Sequence, residues 1–395
     1  MITVTEARAA ILAAAASVET ERAPLRAALG RTLRETLIAA RDQPPFHASA
    51  MDGYAVRAAD TPGVLRLIGE AGAGRALQRP LGAGECARIF TGAPLPAGAD
   101  AILIQEDAAR DGALVTAPAI APHLHVREAG VDFRAGAHVL AEGVVLDGVK
   151  IALAASVGRA DLIVSRRPRV AVLGGGDELV SPGATPLADQ IFDSMSYGVA
   201  ALAEQWGADA SSAPPLADRA SDIADAISHA VAHNDLTVIV GGASVGDHDH
   251  ARPAVRALGG EMLFEKVSVR PGKPTWFARV GRSLLLGLPG NPASAIVCAR
   301  LFLRPLLDTL CGRDPSASVR PLMAKTRASL AVNGPRETYL RATPETDENG
   351  QSWVNAARAQ DSSLLSVLAN APALIMRPAG APEVAAGALV EVLYP

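Results

Sequence analysis

Aromatic residues are scarce in this chain, at 4% of 395 positions. Basic residues do not exceed acidic ones either: 37 Lys and Arg stand against 41 Asp and Glu, for a net charge of −4. A nucleic-acid-binding surface needs a basic footprint and rings on which bases stack, so both absences argue against that class. Cysteine is nearly missing. Cys86, Cys298 and Cys311 are far apart, odd in number and match no metal-ligand spacing, which argues against a disulfide framework or a thiolate zinc site and fits a reducing, cytoplasmic setting. No uninterrupted apolar run is long enough to cross a bilayer. The start, Met1-Ile2-Thr3-Val4-Thr5-Glu6, lacks the basic head and apolar core of a signal peptide. The two familiar nucleotide-binding loops are absent as well. The run Gly174-Gly175-Gly176 fails G-x-G-x-x-G because Leu179 occupies the last position, and no G-x-x-x-x-G-K-[ST] occurs.

What the chain has is 36 glycines and 28 prolines within a 49% hydrophobic composition, and a length suited to about two to four domains. Thr3 to Ala16 reads as a helix opened by a Thr3/Glu6 capping box. From Arg41 to Asp132 the texture turns to short β-like runs between Gly and Pro, such as Val64 to Ile68, Ala87 to Phe90 and Ala101 to Ile104, which describes an inserted β module. Asp147 to Val157 reads as a helix that rejoins the N-terminal one in a small linking domain. From Arg169 strands alternate with helices. Arg169 to Leu173 and Leu236 to Val240 are buried-type strands, and Ser194 to Trp206 (with Gly207 as its stop) and Asp222 to His233 are helices. That alternation implies a parallel sheet, with ligands bound beyond the carboxyl ends of its strands. After Pro315 a last β-rich stretch ends in Ala388 to Leu393.

Three crowded turns fall in the alternating region: Gly241 through Asp249, Arg270-Pro271-Gly272-Lys273-Pro274, and Gly287-Leu288-Pro289-Gly290-Asn291-Pro292. Their density of Gly and Pro makes the backbone the working surface, and backbone N–H nests suit a phosphate-bearing ligand. Asp177 and Glu178 follow one strand, Asp247 and Asp249 another. Such carboxylates either cap and solvate their turns or hold a magnesium ion that bridges to phosphate, and two acidic turns at successive strand ends favour the cation. Lys273, stiffened by its neighbours, is either an ordinary turn lysine or a cation aimed at an anion, with Arg270 as a second. The Gly290-Asn291 corner is a structural bend, an anion cradle at a helix start, or both. Asp247-His248-Asp249-His250 is a poor zinc site, because alternate residues of an extended segment point apart.

These motifs, together with Pro45-Phe46-His47-Ala48-Ser49-Ala50-Met51-Asp52-Gly53-Tyr54-Ala55, Thr91-Gly92-Ala93-Pro94 and Gly176-Asp177-Glu178-Leu179, resemble in their order those of the molybdopterin molybdenumtransferases, the molybdenum insertases that include the MoeA proteins and the gephyrin E-domain. The resemblance spans essentially the whole chain. It implies an α/β and β multidomain protein in four parts: a linking domain (1–40 plus 134–166), an inserted β domain (41–133), a MogA-like three-layer α/β domain with a parallel-rich sheet (167–314), and a C-terminal β-barrel-like domain (315–395). It also implies a homodimer whose active site is shared between subunits, and a reaction in which adenylylated molybdopterin and molybdate, with magnesium, give molybdenum cofactor and AMP. Implied partners are a molybdopterin adenylyltransferase and apo-molybdoenzymes, met transiently, with no nucleic acid and no membrane.

Carried over by position, the resemblance assigns catalysis to Glu178, Asp249, Lys273, Asp52 and Asp132, with Asp52 and Thr91 supplied by the partner subunit. Glu178, Asp247 and Asp249 would hold magnesium. Substrate contacts would come from Thr91, Gly176, Asp177, Gly241, Gly242, Ser244, Gly246, Arg270, Gly272, Pro289, Gly290, Asn291, Pro292, Arg336, Arg341 and Ser363. The sequence departs from the family pattern in places. Gly174-Gly175 replace hydroxyl residues, Arg270 replaces a lysine, and Arg219 follows Asp218 where a second acid is usual. A non-catalytic molybdopterin or cofactor carrier is the alternative, and it would need no magnesium acids. The sister adenylylation activity goes with Gly-Gly-Thr-Gly, where this chain has Gly-Gly-Ala-Ser-Val-Gly.

Overall fold

The structure is a computed structural model that describes residues 1–241 and 250–394. The chain divides into two compact units. One holds Met1–Arg22, Gly30–Arg34 and the chain from Ile163 onward, and the other holds Ala23–Leu29 and Glu35–Leu162.

The first unit is built on a six-stranded sheet in the order Asp209–Ser212, Arg169–Gly174, Leu236–Val240, Ser283–Leu288, Trp276–Val280, Glu261–Phe264. The first four of these strands run parallel and the last two pairings are antiparallel, so the expected parallel sheet carries an antiparallel edge. The cause is local. Gly281, at φ +57°, turns the Trp276–Val280 strand directly back into Ser283–Leu288, where no helix intervenes to cross over.

Both faces of the sheet are covered, which is why its strands read as continuous apolar runs rather than alternating ones. Val170, Val172, Leu236, Val238, Val240, Leu284, Leu286 and Leu288 share one core with Val199, Ala203 and Trp206 of helix Met195–Gln205. Ala171, Leu173, Ile239 and Leu285 face the other core, with Ile223 and Ile227 of helix Ala220–His233 and Val255 of helix Ala251–Ala257. The polar end of the sheet is tied down by Arg166, whose guanidinium donates twice to Asp235 at 2.7 and 2.8 Å. Burial by itself raises the Asp235 pKa, but this pairing outweighs it and leaves the carboxyl below its usual range.

The N-terminal helix, Val4–Ala14, has the expected capping box: Thr3 Oγ1 accepts from Glu6 N at 3.2 Å, and Thr3 N donates to Glu6 Oε2 at 2.8 Å. The Asp147-capped helix runs Gly148–Ser156 and lies in the other unit. Val4, Ala7 and Ile11, spaced to one helical face, are wholly buried in the α/β core.

The C-terminal part of the first unit closes into a five-stranded barrel. Its strands Glu337–Thr346, Ser352–Ala356, Leu322–Thr326, Leu389–Leu393 and Ala373–Arg377 pair in that order, and the last pairs back to the first. Closure leaves no free edge. The second unit carries a curled six-stranded sheet in the order Ala101–Ile104, Gly53–Val56, Glu85–Ile89, Gly63–Ala71, Leu114–Ala117, Ala109–Asp111. All four residues of Gly53–Val56 are buried, with Tyr54 and Val56 in one core and Ala55 in another.

The three cysteines are buried and unpaired, and burial pushes their thiols up to about 11 at Cys86 and Cys311 and about 12 at Cys298, so they stay protonated and unreactive near neutrality. Among the described residues no helix is long and apolar enough to cross a membrane.

Two outcomes follow from these contacts. A Cβ at Gly287 would drive into the indole of fully buried Trp276, so Gly287→Ala should lower stability by about 3 kcal/mol in urea titration. A loss under about 0.5 kcal/mol would show that the indole can yield. In the second unit, hydrogen bonds from Arg79, Gly82 N and Arg66 hold Glu85 down from 4.5 to about 2. Its folded pKa lies below the unfolded one, so its contribution is complete above about 4.5 and fades as pH falls toward 2. Glu85→Gln should therefore flatten the acid limb of stability across that window, and an unchanged slope would exclude Glu85 as its source.

Candidate functional site

Three strands of the α/β sheet end level with one another. Gly174 is opposite Val240, and Val240 is opposite Leu288, so the turns that follow leave the sheet side by side. Backbone bonding continues one step past the strands: Gly175 N donates to Val240 O at 3.3 Å, and Gly241 N to Leu288 O at 3.2 Å. The turns then touch through bare backbone. Gly241, at φ +81°, is so placed that a Cβ would lie 2.8 Å from Gly175 O, and a Cβ on Gly290 would lie 3.4 Å from Gly241 Cα. At Gly241 the left-handed backbone and the Gly175 O contact leave no room for a side chain, which is the physical reason for glycine there.

Above this floor opens a cleft of about 620 Å3. Gly175, Gly176, Gly241, Pro289, Gly290, Asn291 and Pro292 line one side, and Glu178, Asp218 and Ser363 add polar groups. Glu178 is exposed, with its carboxylate folded over Gly176, where a Cβ would come within 2.8 Å of Glu178 Cδ. Asp177 turns the other way and accepts a hydrogen bond from Asp218 N at 2.9 Å, which fixes the neighbouring loop rather than presenting a second free carboxylate. Among the described residues no three His, Cys, Asp or Glu side chains gather as a metal-binding group. Gly242, Ser244, Gly246, Asp247 and Asp249, together with His248, lie outside the described residues.

The turn carrying Lys273 is held from behind. Thr275 N and Oγ1 donate to Gly272 O at 3.1 and 2.8 Å, and Val267 N donates to Lys273 O at 3.0 Å. Gly272 has φ +121°, and a Cβ there would collide with the sulfur of Cys298, so the thiol fills the space under the turn. Lys273 itself is exposed, forms no ion pair among the described residues, and precedes Pro274, which lines the cleft. Arg270 is exposed on the same turn and is backbone-paired with Thr338 of the barrel.

The barrel contributes a serine loop. Ser363 Oγ and N donate to Asp361 Oδ1 at 2.6 and 2.9 Å, which lowers the Asp361 pKa and sets Ser363 at the cleft. Asn291 Nδ2 donates to Ser362 Oγ at 3.1 Å, and Ala293 N donates to Ser362 O at 2.9 Å. The expected anion cradle at the start of helix Pro292–Cys298 is thus partly filled. Pro292 has no N–H, and the Ala293 N–H is taken by the barrel.

Arg341 and Arg336 are placed as struts. Arg341 is 1% exposed, with Nε on Gln360 Oε1 at 3.1 Å and Nη1 on Asp361 O at 2.7 Å, so it secures the base of the serine loop. Arg336 Nη1 donates to Val269 O at 3.3 Å, directly before Arg270.

The second unit holds the other candidates. Thr91 N and Oγ1 both donate to Asp52 Oδ1 at 2.8 Å, and these bonds hold the exposed Asp52 carboxyl below its ordinary range. Asp132 is exposed, and its N–H donates to Gln43 O at 3.0 Å. Phe192, Asp193 and Ser194 line the cleft of the first unit without having been singled out from sequence. Their only sequence signal is an apolar pair followed by a polar helix start.

Comparison with known proteins agrees with this picture along the whole chain. Residues 2–158 match the MoeA N-terminal region (domain I and II), residues 171–309 a probable molybdopterin binding domain, and residues 323–394 the MoeA C-terminal region (domain IV). A molybdopterin molybdenumtransferase of Nostoc sp. is 34% identical over 390 residues, covering 95% of this chain and 88% of the relative. One from Haemophilus influenzae is 31% identical, covering 99% and 98%. A solved molybdopterin biosynthesis MoeA protein from Pyrococcus horikoshii superposes with a TM-score of 0.84 at 28% identity, over 100% of this chain and 99% of its own. The chain belongs to the molybdopterin molybdenumtransferase family.

Proposed function

We infer that this chain is a transferase of molybdenum cofactor biosynthesis, which inserts molybdenum from molybdate into adenylylated molybdopterin and releases AMP. The observation that carries this reading is the meeting of Gly175, Gly241 and Gly290 at three level strand ends in one cleft, with Glu178 and Ser363 at its walls, in a member of this family. A carrier that only held the cofactor would have no need of an exposed carboxylate beside a phosphate-sized backbone floor, and that alternative is not favoured.

The reaction breaks the phosphoanhydride of the adenylylated pterin and passes the metal of molybdate to the dithiolene sulfurs, which belong to the substrate. The protein's part is therefore binding, orientation and charge. Lys273, aimed by its rigid turn, receives phosphate oxygens as negative charge builds on the departing AMP. Molybdate, an oxyanion, meets Arg270. Glu178 and Asp218 offer the hard oxygen ligands that Mg2+ takes alongside phosphate, and Asp247 and Asp249 are the further candidates for it. Bound there, Mg2+ would neutralise charge on the bridging phosphates. The remaining catalytic candidates, Asp52 and Asp132 with Thr91, are assigned to the same reaction in a homodimer, with Asp52 and Thr91 supplied by the partner's β domain.

The division into linking, inserted β, α/β and C-terminal domains at 1–40 plus 134–166, 41–133, 167–314 and 315–395 is part of this reading. So are a cytoplasmic location, transient contact with a molybdopterin adenylyltransferase and apo-molybdoenzymes, and the absence of nucleic-acid or membrane partners.

The test is AMP release from adenylylated molybdopterin with magnesium, with and without molybdate, followed by reconstitution of an apo-molybdoenzyme. Molybdate-dependent release with active cofactor is expected. AMP release indifferent to molybdate would make the chain a pyrophosphohydrolase, and tight binding without turnover would make it a carrier. Glu178→Gln should keep the melting temperature, because the side chain is exposed, and lose on the order of a hundredfold in turnover. Full activity in that variant would remove Glu178 from the mechanism.

A further inference from the structure

The cleft has a side that the phosphate chemistry does not use. Opposite the glycine floor runs the two-residue strand Ile191–Phe192, paired in parallel with Leu179–Val180, the strand that directly follows Glu178. Ile191 N donates to Glu178 O at 2.7 Å and Asp193 N to Val180 O at 2.8 Å. Asp193, 2% exposed, then accepts from Ser196 N at 3.0 Å at the start of helix Met195–Gln205. Phe192 is thus fixed on both sides by backbone bonds, one of them to Glu178 itself.

Its side chain is nevertheless left open, 46% exposed, beside Ile191 at 59%. In a chain with only 4% aromatic residues, Phe192 is the one aromatic among the described residues lining this cleft. Exposing a ring on a rigid mount forgoes the burial that large apolar side chains ordinarily gain. The arrangement suits a flat partner, since every heteroaromatic ring presents a π-face, and stacking on a fixed phenyl needs no hydrogen-bond readout.

We propose that Phe192, backed by Ile191, is the stacking platform for a planar heteroaromatic ring of the substrate, and so a specificity-determining residue of the site. The inference rests on the reading of the cleft as the site for adenylylated molybdopterin. That substrate carries two such rings, a pterin and an adenine, one at each end of its pyrophosphate. With the pyrophosphate in the cleft, a ring at one end of it can reach Ile191 and Phe192, which line the same cleft.

The experiment measures kcat and KM for adenylylated molybdopterin in the molybdate-dependent AMP-release assay, using the full chain and the variants Phe192→Leu, Phe192→Ala and Phe192→Tyr. Thermal melting serves as the fold control. Phe192→Leu and Phe192→Ala should raise KM about tenfold with kcat changed far less, and Phe192→Tyr should stay close to the parent, because leucine keeps apolar area but loses the ring. Competition by pterin-6-carboxylate and by AMP then identifies the ring: the competitor whose inhibition weakens in Phe192→Leu is the one that stacks. An unchanged KM in Phe192→Leu, or equal weakening in Phe192→Tyr, overturns the stacking role while the insertase reading stands. A parent chain that releases no AMP in response to molybdate overturns that reading and this inference with it. A change of oligomeric mass in Phe192→Ala with KM unaltered also overturns it, marking Phe192 as a subunit contact.

Discussion

The whole site depends on one constraint, the register of three parallel strands. Because Gly174, Val240 and Leu288 end level, the turns after them leave the sheet together and meet as backbone against backbone. The spacing between neighbouring strands is set by the hydrogen-bond ladder, at about 4.8 Å. A side chain at Gly241 or Gly290 would have to part strands that the two buried cores hold closed. The floor of the cleft is therefore a by-product of packing, and its support comes from Val238, Leu286 and their neighbours in the buried core.

The supports beneath that floor are of a different kind. Lys273 is aimed by Thr275 and by the Cys298 sulfur under Gly272, and Ser363 is aimed by Asp361, whose own carbonyl is held by buried Arg341. Burial lowers the Arg341 pKa, and the nearby Asp361 charge opposes that shift. Ser363 lines the cleft and Lys273 is exposed directly before Pro274, which also lines it, while the buried Arg341 behind the serine loop has its hydrogen bonds made. This is how a site stays within reach of its productive geometry without burying its own reactive groups unpaired.

Much of this was legible in the sequence. The continuous apolar runs at Arg169 and Leu236, each stopped by glycine, identified the sheet, because strands buried on both faces lose their alternation. Lys273 between two prolines and Glu178 after a glycine run were likewise readable, since the stiff turn is itself the signal. Side-chain direction was not. Nothing in the order of residues separates Arg341, folded inward as a strut, from Arg270, which stays exposed, and both read as cations near the last motif. The antiparallel edge was also hidden, because a Gly281 turn looks the same whether a hairpin or a helix follows.

The distinction between occupied and unoccupied groups narrows the chemistry further. Of the basic residues given a substrate role, Arg336 and Arg341 already donate to backbone or side-chain oxygens, while Arg270 and Lys273 are exposed on one rigid turn. Of the acids after the first strand, Asp177 holds the Asp218 backbone and Glu178 alone stays free over Gly176. Among the described residues, the exposed charges left for a ligand are thus the Glu178 carboxylate at the cleft and Lys273 and Arg270 on one turn. Moving any of the occupied groups to the ligand would leave a buried oxygen or guanidinium unpaired, at a cost of about 1–3 kcal/mol each. The energetically open route is for substrate to bind the free groups and leave the struts in place.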